Sequence, residues 1–147
     1  MSEIYAVNES FFKMILSRHS LGAKHLVIPA PDVGALRLAV TAACRVPCHQ
    51  ETLPFRWVEI SSRDRLADLF ESVLPADADE EMRAKARGKA LKAPMCMALV
   101  GTSLSPDSQD RDADERLMTA GASLMNFLAG LHAQGFAAKA VSAKDFP

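Results

Sequence analysis

Two short clusters carry the side chains of this chain best suited to hold an anion. One is Arg18-His19-Ser20, the other Arg45-Val46-Pro47-Cys48-His49. A guanidinium offers a planar fork of donors, a serine hydroxyl adds a neutral one, and an imidazole donates with a charge set by its protonation. Together these residues make a phosphate-binding set. Each cluster closes an expected helix, so each lies at a chain reversal. The same positions also suit plainer roles. Arg18 and Arg45 are cations at helix C-termini, where the macrodipole favours them, and His49 reads equally as a hydrogen-bonded loop imidazole.

The cysteines carry less. Cys44, Cys48 and Cys96, with His49, contain neither a Cys-x-x-Cys pair nor a His-x3-His pair, so a zinc site is not expected. Cys44 lies on a helical face of Ala and Val and reads as packing rather than as a nucleophile.

The elements that must position these clusters follow from periodicity. Asn8 to Ser17 reads as a helix with Phe11, Phe12, Ile15 and Leu16 on one face, capped by Asn8 or Ser10. Leu21 to Pro31 reads as loop. Asp32 caps a helix from Val33 to Cys44, with Leu36, Val40 and Ala43 along one side, and Pro47 stops it. Phe55 to Ile60 is a strand candidate. Ser61-Ser62-Arg63-Asp64 opens a helix carrying Leu66, Leu69, Phe70 and Val73. An acidic turn, Pro75 to Asp79, precedes a polar helix from Glu80 to Leu91. Met95 to Val100 is apolar on both sides, as in a central strand. Ser103 to Asp114 reads as a polar loop, Glu115 to Gln134 as the strongest helix, with Gly135 as its stop, and Ala137 to Ser142 as a last strand. The pattern is an α+β sandwich of helices around a small sheet.

Bulk properties narrow the class. At 147 residues, about half of them apolar, the chain suits one globular domain. A net charge of −1 gives no electrostatic basis for binding nucleic acid or an anionic membrane. Met95 to Gly101 is the longest apolar run, too short to cross a bilayer. The first residues lack the basic and apolar regions of a signal peptide. Three cysteines suit a reducing, cytoplasmic setting better than a disulfide framework.

The order of these pieces resembles the small, single-domain branch of the bacterial FMN-dependent nitroreductase family. That branch ends its first helix in an Arg-Arg-Ser-like triplet, matched by Arg18-His19-Ser20, and follows with a Pro-x-Pro, here Pro29-Ala30-Pro31. Its Arg-Ala-Pro-Asp-His motif and Pro-Trp-x-Phe strand start are matched by Arg45-Val46-Pro47-Cys48-His49 and Pro54-Phe55-Arg56-Trp57. Lys85-Ala86-Arg87, Ala93-Pro94, Thr119-Ala120-Gly121-Ala122 and Gly135-Phe136-Ala137 match later motifs, so the likeness runs over about residues 8 to 147.

The resemblance implies a nitroreductase-like sandwich, dimeric, as a single domain over 1–147 that lacks the family's C-terminal helix and strand. It implies an oxidoreductase that uses FMN and passes hydride from NAD(P)H to nitroaromatic or quinone-like acceptors by a ping-pong mechanism. The flavin carries that chemistry, so no side-chain acid–base pair is required. The implied FMN contacts are Arg18, His19, Ser20, Arg45 and His49, with His49 reaching across the dimer. A third segment, Trp-Arg-Ser-Gly in the family, falls on Ala140-Val141-Ser142-Ala143, where the aromatic and the arginine are absent and Ser142 is kept. Two further departures are His19 in place of an arginine and Cys48 in place of an aspartate. The alternative is a flavin-free dimeric scaffold on the same fold.

Overall fold

Side-chain caps open the helices. Asn8 accepts the Phe11 N–H at 3.0 Å and starts α1 (Glu9–Ser17), and Asp32 accepts the Ala35 N–H at 2.8 Å and starts α2 (Val33–Ala43). The chain then forms β1 (Phe55–Glu59), α3 (Arg63–Ser72), α4 (Glu80–Leu91), β2 (Met97–Gly101) and α5 (Asp110–Ala133). Ser62 and Asp79 cap α3 and α4 in the same way. The computed structural model describes residues 7–49, 52–101 and 110–141.

The centre is the contact of α2 with α5. Leu36, Ala39 and Ala43 of α2 are buried against Phe127 and Leu131 of α5. Small residues set the distance: a Cβ on Gly130 would lie 3.2 Å from the Ala39 Cα, closer than ordinary packing permits. Gln134 donates to the Ala35 and Gly130 carbonyls, tying the two helix ends together.

The antiparallel strands pair Phe55 with Gly101 and Glu59 with Met97. The sheet docks on α5 through Trp57, whose ring stacks on Phe127 at 4.1 Å between centroids. Its indole N–H donates to the Ser123 hydroxyl at 3.0 Å. Ser123 is fully buried, so that bond satisfies both polar groups.

α3 and α4 form a hairpin between the strands, packed mainly on each other. Arg87 bridges Asp68 and Glu71, and Arg83 also reaches Glu71. The hydrogen bond from Arg87, aided by Arg83, holds the Glu71 carboxyl below the usual carboxylate range. The Arg63 guanidinium donates to the Ala90 and Ala93 carbonyls and so closes the end of α4.

Several sequence expectations need correction. Met95 to Val100 was expected as a central strand, but β2 has only β1 beside it among the described residues. One face of the segment, Met95 and Met97, packs against the α2–α5 core. Asp110 to Asp114 belongs to α5 rather than to the expected loop, since the long helix continues through it; residues 103–109 lie outside the described residues. No strand forms over 137–141, since among the described residues the segment meets no ladder partner beyond a single bond from Leu21 N–H to the Ala138 carbonyl; Ser142, the expected end of that strand, lies outside them. The α1 face of Phe11, Phe12 and Leu16 stays exposed within the chain.

Ser123→Ala is expected to leave the Trp57 indole N–H unpaired and to cost about 1–2 kcal/mol. Urea unfolding followed by the fluorescence of the chain's one tryptophan should show a lower midpoint with an unchanged slope.

Candidate functional site

The first cluster sits where α1 meets the end of α5. Arg18 is the C-cap of α1 and His19 follows it. The end of α5 lies opposite, closed by Gly135 at φ 85°, a left-handed conformation that favours glycine. There Phe136 N–H reaches the Leu131 carbonyl at 3.0 Å and Gly135 N–H reaches that of His132 at 2.9 Å. Arg18, His19, Leu128, His132 and the turn from Gly135 to Ala138 line a cavity of about 230 Å³. Among the described residues its lining holds one guanidinium, two imidazoles and no carboxylate. Ser20, the third residue of the cluster, is exposed beside it.

Hydrogen bonds hold this corner. The Ser17 hydroxyl donates to the Met14 carbonyl at 3.1 Å and lies 2.9 Å from His132 Nε2. His19 Nδ1 lies 3.1 Å from the Ser17 carbonyl. A carbonyl only accepts, so His19 carries its proton on Nδ1.

The second cluster follows α2. Asn126 of α5 donates to the Ala42 and Arg45 carbonyls, at 3.3 and 3.0 Å, which satisfies acceptors left over at the helix end. The Thr119 hydroxyl, which donates to the Glu115 carbonyl at 2.8 Å, lies 3.3 Å from the Pro47 carbonyl. The backbone of residues 42–47 is therefore pinned along α5 while the Arg45 side chain stays in solvent. Arg37, Val40, Thr41, Cys44 and Arg45 line an open groove of about 440 Å³ on α2. His49 is exposed, and Cys48 makes a long contact to the Thr52 carbonyl.

Within one chain the two clusters therefore line separate hollows that share no residue. Ala140 and Val141 are exposed just beyond the turn, and Ser142 lies outside the described residues. Sequence reading missed Arg37, His132 and Asn126. Arg37 was findable, standing at i−8 from Arg45 with Thr41 between. His132 and Asn126 looked like ordinary polar residues of a long helix, and only the packing shows what they hold.

The architecture has solved counterparts. A nitroreductase-like family protein from Bacillus cereus matches over 92% of this chain and 69% of its own length, with a TM-score of 0.67 at 21% identity. The chain has a nitroreductase-like fold. A nitroreductase family protein from Clostridium novyi NT matches over 85% of this nitroreductase-like chain and 65% of its own, with a TM-score of 0.58 at 18% identity. No family model matches the sequence. Among the described residues, no helix of this nitroreductase-like chain is long and apolar enough to cross a membrane.

Asn126→Ala is expected to release the 42–47 backbone with little loss of global stability, about 1 kcal/mol, because the freed carbonyls can bind water. Amide exchange should speed up locally at residues 44–49, with the rest of the chain unchanged.

Proposed function

We propose that this chain is an FMN-dependent oxidoreductase that takes hydride from NAD(P)H and passes electrons to nitroaromatic or quinone-like acceptors. The nitroreductase-like fold supports the oxidoreductase class. The observation that carries the cofactor reading is the cavity at the end of α1. Its Arg18 has no carboxylate partner among the described residues, and two imidazoles stand beside it. The guanidinium fits a phosphate monoester, and an imidazole adds a donor to it when its ring carries both protons. The bland role for Arg18, a cation at a helix end, explains neither the imidazoles nor the hollow.

When bound, the flavin supplies the hydride chemistry. The chain's own residues bind and orient. Arg18 would grip the phosphate, Ser20 would donate beside it, His19 would donate through Nε2 when its ring carries both protons, and Arg45 and His49 would contact the cofactor from the second cluster. Ala140 and Val141 bring no donor side chain, so any contact there would be apolar or through the backbone, with Ser142 next to them in sequence.

The hollow of about 230 Å³ is smaller than the roughly 300–1,000 Å³ of pockets that enclose a small molecule. It suits a phosphate and part of a ribityl chain, and a ring system needs a further wall. A second copy of the chain would provide one. Phe11, Phe12 and Leu16 on α1 and Leu117 and Met118 on α5 are more than half exposed in the single chain. Large apolar side chains in such numbers mark an interface. A homodimer would cover them and would bring His49 and Arg45 of one copy towards Arg18 of the other.

The protein is expected to bind FMN more tightly than riboflavin, and Arg18→Ala to weaken FMN by about tenfold to a hundredfold, with riboflavin little changed. Fluorescence titration of both ligands checks this, and an equal loss for both contradicts the phosphate assignment. Stopped-flow mixing of the FMN-loaded protein with NADH and NADPH should bleach the flavin. An absence of bound flavin would leave the flavin-free scaffold.

Light scattering at micromolar concentration should give the mass of a dimer. Leu117→Glu with Met118→Glu is expected to shift it towards the monomer.

A further inference from the structure

We infer that His132 is a positioning residue that sets the conformation and tautomer of the Arg18–His19 pair from the opposite helix. The Ser17 hydroxyl has one proton, with the Met14 carbonyl at 3.1 Å and His132 Nε2 at 2.9 Å as its neighbours. The carbonyl can only accept, so both contacts are hydrogen bonds together only when the hydroxyl donates to Met14 and His132 Nε2–H donates to the hydroxyl. Residue 17 is held from both sides: its hydroxyl by His132, and its carbonyl by His19 Nδ1–H at 3.1 Å. The carbonyl belongs to the last turn of α1, where acceptors lack helical partners, and the His19 ring caps it.

The consequence falls on the cavity. With Nδ1–H committed to the backbone, His19 keeps Nε2 as its only other polar atom. His132 and His19 both line the hollow with Arg18, so one imidazole fixes the geometry in which the other meets a ligand. α1 and α5 otherwise touch little. The Ser17–His132 bond joins residues 115 positions apart in sequence, and α1 shows no buried residue that would do the same work by packing. Long-range registration of the Arg18–His19 segment therefore rests heavily on His132.

The ligand served, a phosphate monoester, rests on the cofactor reading above; the tautomers do not. Long-range nitrogen–proton NMR on the ligand-free protein reads each imidazole directly. The expected result is Nε2–H for His132 and Nδ1–H for His19. In His132→Ala, His19 should lose the Nδ1–H form, whereas His132→Gln, whose amide can still donate to the Ser17 hydroxyl, should keep it. A His132 without a proton on Nε2, or a His19 unchanged in His132→Ala, would overturn the inference.

In flavin titrations, His132→Ala should weaken FMN by about threefold to tenfold, with riboflavin changed less than about twofold and His132→Gln close to the parent. A parent protein that binds no FMN would defeat the cofactor reading and leave the tautomers to decide the role of His132. Equal weakening of both flavins would count against positioning at the phosphate end.

Discussion

The close approach of α2 to α5 is the constraint on which the rest depends. Ala39 and Ala43 are fully buried, and the helices meet at Gly130 with no room for a side chain. Dense packing of small residues lets the two backbones exchange hydrogen bonds through Gln134 and Asn126. It also fixes what lies at each end of the pair. One end carries the turn at Gly135 and the cavity with Arg18. The other carries the pinned segment 42–47 and the Arg45 side chain. The helix pair thus places the Arg45 segment directly, and the Arg18 segment through the contact of α1 with the end of α5.

The sheet adds little independent stability. Two strands alone are marginal in water, and here they hold because Trp57 stacks on Phe127 and satisfies buried Ser123. The α3–α4 hairpin is a different kind of unit. It uses ion pairs and small buried residues, Ala67, Ala86 and Ala90, rather than a shared core. Surface ion pairs contribute modestly, so the small buried residues carry most of what holds this hairpin together.

The uncovered apolar surface on α1 and α5 and the small size of the α1 cavity have one common explanation in the proposed dimer. A lone chain leaves both an apolar face and an incomplete site, and a second copy would answer both needs. The two hollows, separate in one chain, would then face each other across the interface. In such an arrangement flavin affinity and dimer stability would be linked by mass action.

Local chemistry was legible without coordinates. Asn8 and Asp32 declare helix starts because a short polar side chain can reach the first free N–H groups, and Gly135 declares an end because it alone tolerates a positive φ. Helix α4 was read to its residue limits after the acidic turn from Pro75 to Asp79. The Arg18 and Arg45 clusters were also visible, since residue type and a chain reversal are local facts. What the sequence could not decide was whatever needs a partner from elsewhere in the chain. Among the described residues the segment after Gly135 has strand composition and no ladder, and β2 looks central and has one neighbour; the start of α5 looks like loop until the helix propagates into it. His132, Asn126 and Ser123 are unremarkable polar residues of a long helix by pattern. Their roles come from contacts with Ser17, with the Ala42 and Arg45 carbonyls and with Trp57, and only tertiary packing brings those groups within hydrogen-bond reach.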